Sequence, residues 1–190
     1  QQLNRLQNTN RVMLANAHSG DVKTIFTDRD DAWVEVRFGF TKWIDNGKRF
    51  TFVSERDGWR HVYLVSRDGK TVQRITSGKY DVTRVLGVDE KSRWLYFIAS
   101  PNNPAQRFLY RIDLDGNGLH RLSPEKQAGS HSYNISPDTQ WAVHSFSSFA
   151  APPVSNFIKL AAHKTVRGLE SNKGLREKLG KLKQPTTEFF

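Results

Sequence analysis

The chain has 190 residues, of which 37% are hydrophobic and 12% aromatic, enough to bury a globular core. It contains no cysteine, which excludes disulfide bonds, thiolate nucleophiles and sulfur-ligated metals. A net charge of +10 suggests a nucleic-acid ligand, but Lys and Arg alternate with Asp and Glu along most of the chain, so we expect a solvated β surface and no nucleic-acid partner. No apolar run approaches the ~18 residues of a membrane-spanning helix, so we expect no membrane span in this segment.

The first predicted element, residues 10–27, is a strand, a turn and a second strand, and this pattern recurs downstream at 60–76, 107–123 and 155–170. The copies at 60–76 and 107–123 are the clearest, because an Asp-Gly turn separates alternating apolar positions in each. Aligned, the copies place at one position Met13, Tyr63, Tyr110 and Phe157, which are separated by 50, 47 and 47 residues. The pattern is therefore an internal repeat.

A second pair of strands precedes each of the three later copies. The second strand of each pair covers residues 48–54, 93–100 or 140–146, and it follows a short polar turn. Four short strands in each period of about 40–50 residues are typical of a β-propeller blade. Apolar residues recur at every second position rather than at the helical spacing of about 3.6, which excludes a helical repeat.

The predicted fold is therefore all-β, a partial β-propeller of about three and a half four-stranded antiparallel blades with a short C-terminal helix. The blade repeats lie near 1–35, 36–82, 83–130 and 131–170, and the first contains only the outer half of a blade. Propellers close with about four to eight blades, so we expect the chain to be a portion of a longer protein. We expect Trp59, Trp94 and Trp141 to pack between neighbouring blades.

Residues 171–190 do not continue the strand pattern. Leu175, Leu179 and Leu182 recur at helical spacing after Ser171 and Asn172, and both of these residue types cap helices well. Residues 184–190 return to extended chain and end in two phenylalanines. We interpret the segment as a short helix and a linker toward a further domain.

No residue pattern supplies a complete active site. A serine hydrolase carries its nucleophile on a Gly-x-Ser-x-Gly elbow, and the serines within 145–148 lack those glycines. The histidines show no metal-binding spacing; they are His18, His61, His120, His131, His144 and His163. Residues 113–118 match the start of a calcium loop, but Pro124 stands where the closing glutamate belongs, so a hairpin turn is favoured over a calcium site. We predict no catalytic residue, metal or cofactor in this chain.

Several segments, taken in order along the chain, carry a family resemblance. They are residues 3–8, 32–34, 54–61, 109–112 and 168–179, including Ser-Glu-Arg-Asp-Gly-Trp-Arg-His at 54–61. Together they resemble the later propeller blades of the dipeptidyl peptidase IV group in the prolyl oligopeptidase family of serine peptidases. Because the resemblance follows the order of the chain over nearly its whole length, it is more specific than any one segment.

The resemblance implies a propeller above an α/β-hydrolase domain, the two together removing N-terminal dipeptides whose second residue is Pro or Ala. It implies that the Ser, Asp and His triad lies in the hydrolase domain beyond this chain, and that the paired glutamates that bind the substrate amine lie in earlier blades. In the family an aromatic residue and an arginine after a Trp-Val segment border the substrate pocket. Arg37 and Phe38 stand near that place in reversed order, and they are the pocket neighbours that the resemblance implies.

Two hypotheses follow. The first is the propeller portion of a secreted or periplasmic dipeptidyl peptidase IV-like serine exopeptidase, inactive alone, which positions and gates the peptide substrate beside the hydrolase domain of the same protein. The alternative is a non-catalytic propeller that serves as an interaction scaffold. In either case a homodimer is one arrangement that would cover open sheet edges.

Overall fold

The computed structural model describes residues 1–36 and 40–182, which form fifteen β-strands and one helix. The strands are β1 (Gln2–Leu3), β2 (Thr9–Ala15), β3 (Val22–Arg29), β4 (Trp43–Ile44), β5 (Arg49–Ser54), β6 (His61–Ser66), β7 (Val72–Arg74), β8 (Val82–Asp89), β9 (Trp94–Ala99), β10 (Phe108–Asp113), β11 (His120–Arg121), β12 (Ser130–Ile135), β13 (Trp141–Ser148), β14 (Ala151–Lys159) and β15 (Lys164–Glu170). The helix is α1 (Lys173–Leu179).

The strands form four antiparallel sheets in chain order. Sheet I contains β1–β3, sheet II β4–β7, sheet III β8–β11 and sheet IV β12–β15, and within each sheet sequence neighbours are also spatial neighbours. This repeated meander is the architecture of propeller blades, and the prediction of an all-β partial propeller with a short C-terminal helix is confirmed. Within the described ranges, no strand of sheet I pairs with a strand of sheet IV.

Sheet II is apolar on both faces because a neighbour covers each one. Phe50 and Phe52 of β5 belong to a core shared with sheet I. Val62 and Leu64 of β6 belong to a second core, shared with sheet III. Successive side chains of a strand point to opposite faces, so one strand contributes to both cores.

Sheet III is likewise covered by a neighbouring sheet on each face, which explains the uninterrupted apolar run of β9. All residues from Leu95 to Ala99 are buried. Leu95 and Phe97 pack toward sheet II, whereas Tyr96 and Ile98 pack toward sheet IV. An alternating polar face would be expected only where one side of the sheet met water.

Sheet I contains one strand more than the outer half blade expected from the repeat. The additional strand is β1, whose Gln2 and Leu3 pair with Arg11 and Asn10 of β2. A strand of two residues shows no alternation of apolar and polar positions, so the sequence pattern did not predict it.

The predicted strands at 48–54, 93–100 and 140–146 are confirmed as β5, β9 and β13. The segment with calcium-loop character is the turn between β10 and β11. Gly116 has a φ of 87°, and the carboxylate of Asp115 accepts a hydrogen bond of 2.7 Å from Arg93. The hairpin interpretation of this segment is therefore confirmed.

The expectation for the three tryptophans is confirmed only in part. Trp94 packs against the core between sheets III and IV. Trp141 stacks on Phe157 of its own sheet, with ring centroids 5.3 Å apart, on the face opposite to Ala142 and therefore away from sheet III. Trp59 lies in the loop between β5 and β6 and is 41% exposed, so its assignment to blade packing is wrong. A loop residue lies at the end of a sheet, where no neighbouring sheet covers it.

The C-terminal helix is shorter than the leucine spacing suggested. It ends at Leu179, and none of its residues is buried. Asn172 occupies the N-cap position, but its side chain makes no capping hydrogen bond. Its amide nitrogen instead donates to the carbonyl oxygen of Pro153 at 2.6 Å, which ties the start of α1 to sheet IV.

Candidate functional site

All connections of seven or more residues lie at one end of the sheets. In antiparallel sheets joined in chain order, the loop that precedes the last two strands of each sheet lies at the same end as the connection to the next sheet. The backbone hydrogen bonds confirm this: Val34 donates to Gln7 at 2.8 Å, and Val82 donates to Arg60 at 2.8 Å. We call this end the loop face; its loops are 4–8, 55–60, 100–107 and 149–150, and the described parts of its sheet-to-sheet connections are 30–36 with 40–42, 75–81, and 122–129.

The loop face exposes aromatic side chains. Among residues 1–36 and 40–182, the large aromatic side chains that are exposed are Trp33, Trp59 and Phe149, at 55%, 41% and 62%. All three lie on the loop face, where Leu6 is also 74% exposed. The opposite end consists mainly of tight turns with Asp, Gly and Lys. Exposed aromatic groups gathered on one side of a protein are typical of an interaction surface.

The connection 30–36 is fixed to sheet I by its own hydrogen bonds. A carboxylate oxygen of Asp30 accepts from the backbone N–H groups of Ala32 and Trp33 at 2.8 and 3.2 Å, and these bonds lower the pKa of Asp30. The indole Nε1 of Trp33 donates to Glu35 at 3.4 Å, and Val34 is 7% exposed. These bonds stabilise the turn at the start of the segment that precedes the predicted pocket neighbours. Arg37 and Phe38 themselves lie outside the described residues.

A buried charge network lies beside this connection. Asp28 of β3 is 4% exposed and accepts hydrogen bonds from Ser54 Oγ at 2.7 Å and from Arg56 Nη2 at 2.8 Å. The guanidinium group of Arg56 lies over the Phe26 ring, 4.7 Å from its centroid. The network joins sheet I to the β5–β6 loop, which begins one residue after Ser54. This loop belongs to the segment 54–61 that carried much of the family resemblance.

A concavity opens on the loop face between sheets II and III, with a volume of about 230 Å³. Trp59 and Tyr80 contribute aromatic rings, and Pro101 and Pro104 contribute further apolar surface. Lys79, Asp81 and Arg107 are its charged residues. The arrangement combines apolar walls with a few polar groups, which is the composition of a binding pocket for an organic group.

A wider concavity of about 700 Å³ lies at the opposite end of sheets III and IV. Its charged residues balance in sign; they are Lys42, Lys91, Arg111, Asp89, Glu90 and Asp138. With no excess of one charge and no concentration of apolar groups, this concavity selects no ligand class, and we do not assign it a role in binding.

A cluster of histidines in sheet IV was not found from the sequence. His131 Nδ1 and His144 Nε2 are 2.9 Å apart, and His163 Nε2 is 2.8 Å from the hydroxyl of Tyr133. Burial lowers the pKa of all three histidines, that of His144 to about 3. The alternation of His131 and Tyr133 on one strand was the available signal, but only the pairing of β12 with β13 places His144 opposite Tyr133.

Ser145 lies in the segment that was considered for a serine nucleophile. The hydroxyl of Ser145 is hydrogen-bonded to that of Ser155 at 2.7 Å. Residues 1–36 and 40–182 contain no group of three or more His, Cys, Asp or Glu side chains placed to bind a metal. In the same ranges, no helix has the length and hydropathy needed to cross a membrane.

Comparison with known proteins identifies one family. Residues 1–153 match the family model described as the dipeptidyl peptidase IV N-terminal region. The chain is 27% identical over 191 residues to dipeptidyl peptidase 4 of Trichophyton equinum, a match that covers 98% of this chain and 24% of that protein. It is 22% identical over 205 residues to a probable dipeptidyl peptidase 4 of Emericella nidulans, covering 25% of that protein.

Two solved structures are similar in fold to this chain. The crystal structure of Porphyromonas gingivalis dipeptidyl peptidase 4 matches with a TM-score of 0.84 and 33% identity, over 93% of this chain and 25% of that one. A putative dipeptidyl aminopeptidase IV from Bacteroides ovatus has the same fold, with a TM-score of 0.76 and 19% identity over 89% of this chain. The chain spans about a quarter of the length of the relatives that it matches.

Proposed function

The chain belongs to the family of the dipeptidyl peptidase IV N-terminal region, and from this membership we propose that it forms part of the propeller of a serine-type dipeptidyl peptidase. The enzyme removes N-terminal dipeptides that have Pro or Ala as their second residue. This chain positions and gates the peptide substrate. The Ser, Asp and His triad belongs to an α/β-hydrolase domain of the same protein, and the chain alone is inactive.

The loop face is the observation that carries this proposal. It gathers Trp33, Trp59 and Phe149 at one end of the sheets, where their exposure in water is unfavourable. The chain also leaves sheet IV at this end, because β15 finishes at Glu170 and Asn172 is bonded to Pro153 at the start of β14. A hydrolase domain that covers the loop face would bury the aromatic groups and enclose the substrate between the two domains.

Arg37 and Phe38 are proposed as neighbours of the substrate pocket. The support is their place in the chain, directly after a connection that Asp30 and the Trp33 to Glu35 bond hold in position on the loop face. A guanidinium group can bind a peptide carbonyl or carboxylate, and a phenylalanine ring can pack on an apolar side chain. The proposed enzyme is secreted or periplasmic, as its group of peptidases implies.

The test compares two proteins on Gly-Pro and Ala-Pro chromogenic substrates. One is the whole polypeptide that contains this sequence, and the other is residues 1–190. We expect the whole polypeptide to release the chromophore, and we expect a covalent serine-hydrolase inhibitor to abolish the activity. Residues 1–190 should show no activity at any concentration.

Two results would count against the proposal. Activity of residues 1–190 alone would mean that the chain contains a catalytic site. A folded whole polypeptide with no activity on either substrate would favour the non-catalytic scaffold, and a search for bound proteins would then be the appropriate experiment.

A further inference from the structure

The function proposed above assigns no ligand to the pocket between sheets II and III. We infer that it is a subsite for a ring-bearing residue of the peptide substrate, a proline, phenylalanine or tyrosine that lies beyond the dipeptide to be removed. The inference rests on the proposed function, because it assumes that the loop face meets a peptide. It adds a site for the part of the substrate that the enzyme does not release as the dipeptide.

The shape and lining of the pocket fit such a side chain. Its volume is about 230 Å³, enough for one side chain with part of its backbone. The Trp59 ring is 41% exposed at one side, and Pro101 and Pro104 lie at another. Flat aromatic and proline surfaces pack well on the rings of proline and aromatic residues, and grooves lined in this way recognise proline-containing peptides.

The walls are held in place without an occupant. Asp81 accepts a hydrogen bond from the backbone N–H of Arg60 at 2.8 Å, which joins the sheet-to-sheet connection to the loop that carries Trp59. Arg107 Nη1 donates to the carbonyl oxygens of Pro104 and Gln106, both at 2.6 Å, which fixes the loop between β9 and β10. A preformed pocket loses little conformational entropy when it binds a ligand.

Polar groups in the pocket favour a peptide over a purely apolar ligand. Lys79 and Arg107 outnumber Asp81, one carboxylate oxygen of which already accepts from Arg60. These cationic donors match the carbonyl oxygens of a peptide backbone, and they favour an acidic residue next to the ring.

The position of the pocket indicates that the peptide bound there is the substrate of the proposed enzyme. The connection 75–81 is the counterpart, one sheet further along the chain, of the connection 30–36. Neighbouring sheets pack about 10 Å apart, and an extended peptide advances about 3.3 Å per residue. A peptide whose N-terminus lies beside residues 30–36 therefore reaches the Trp59 pocket about three residues later.

The test uses the whole polypeptide and compares substrates of different length. One substrate is Gly-Pro with a chromogenic leaving group, which is too short to reach the pocket. The other is a series of Gly-Pro heptapeptides with phenylalanine or alanine at position four. For Trp59→Ala we expect kcat/KM on the phenylalanine heptapeptide to fall about tenfold, mainly through KM, with the chromogenic substrate unchanged. Trp59→Phe should retain most of the wild-type value.

Phe149→Ala is the matched control, because Phe149 is also an exposed aromatic residue on the loop face but does not line the pocket. It should not alter the ratio of kcat/KM between long and short substrates. An equal loss on both substrates for Trp59→Ala, or no loss on either, would overturn the subsite while leaving the proposed function intact. If the wild-type protein cleaves neither substrate, the proposed function fails and the subsite fails with it.

Discussion

The imidazole rings of sheet IV form a hydrogen-bonded chain whose direction can be deduced. His131 Nε2 is 2.9 Å from the carbonyl oxygen of Gln127, which can only accept, so Nε2 carries the hydrogen. In the neutral ring, Nδ1 of His131 is then the acceptor, and His144 Nε2 is the donor across the 2.9 Å contact. If both rings were protonated, two N–H groups would face each other. The pair therefore binds at most one proton in this geometry.

Acid should destabilise the protein through this cluster. The pKa values of His131, His144 and His163 are lowered in the folded state, mainly by burial, whereas in the unfolded chain they are near 6.5. The unfolded state thus binds more protons below that value. The contribution of the neutral histidines is complete above about pH 6.5 and is lost progressively as the pH falls toward 3, the approximate pKa of His144.

The measurement is the denaturant midpoint of unfolding at pH 7.5, 6.5, 5.5 and 4.5. We expect His144→Phe to lose less stability than the wild type between pH 7.5 and 4.5, because one buried titrating group has been removed. His18→Gln is the control, since His18 lies in an exposed turn and its variant should follow the wild-type curve. Parallel curves for wild type and His144→Phe would contradict the interpretation.

At the scale of the elements, the turns between the last two strands of each sheet determine how closely neighbouring sheets approach. In the β6–β7 turn, Gly69 has a φ of 74°, and a Cβ atom at this position would lie 1.4 Å from the carbonyl oxygen of Ile25 in sheet I. The equivalent Gly116 of sheet III would bring a Cβ atom within 3.1 Å of the Ile75 carbonyl oxygen. The backbone of each turn thus packs directly on the preceding sheet.

Gly69→Ala should therefore be strongly destabilising. The left-handed φ costs about 1–2 kcal/mol for alanine, and the contact with Ile25 adds about 1–3 kcal/mol more, because backbone must move. Gly20→Ala is a matched control: Gly20 occupies the same turn of sheet I with a φ of 76°, and nothing lies within 4 Å of its Cβ position. Urea unfolding of the two variants should show a clear difference, and equal losses would refute a role for close sheet packing.

At the scale of the whole molecule, the sheets are joined mainly by apolar cores, and sheets I and II also by a buried ion pair. Asp28 of sheet I accepts hydrogen bonds from Arg56 and Ser54 of sheet II, and its side chain is buried. Charged groups are buried only when paired, so removal of one partner leaves the other without compensation.

Asp28→Ala should lower the free energy of unfolding by about 3–5 kcal/mol, since Arg56 would remain partly buried without its carboxylate. The exposed pair of Arg93 and Asp115, at 2.7 Å, provides the comparison. Asp115→Ala should cost less than about 1 kcal/mol because water screens that pair. Equilibrium unfolding of both variants tests the contrast, and a small loss for Asp28→Ala would show that the ion pair does not stabilise the junction of sheets I and II.

The sequence by itself determined the class of fold and the strands of sheets II to IV. Two local features were sufficient: the alternation of apolar residues on strands such as β5, and turn residues such as Asp115 and Gly116 at regular intervals. Both features involve residues that are close in sequence, so they can be recognised without a structure. The same local patterns did not predict β1 or the length of α1, because these segments are too short to establish a pattern.

Only the tertiary structure decided which distant residues meet. The exposure of Trp59, the contact of His144 with His131 and the burial of Asp28 depend on the pairing and stacking of strands that lie far apart in sequence. A repeat pattern does not distinguish a tryptophan in a strand from a tryptophan in a loop. The strand residue can be covered by the next sheet, whereas the loop residue lies at the end of its sheet and stays exposed. The candidate site on the loop face is a product of this stacking, because its loops belong to four separate sheets.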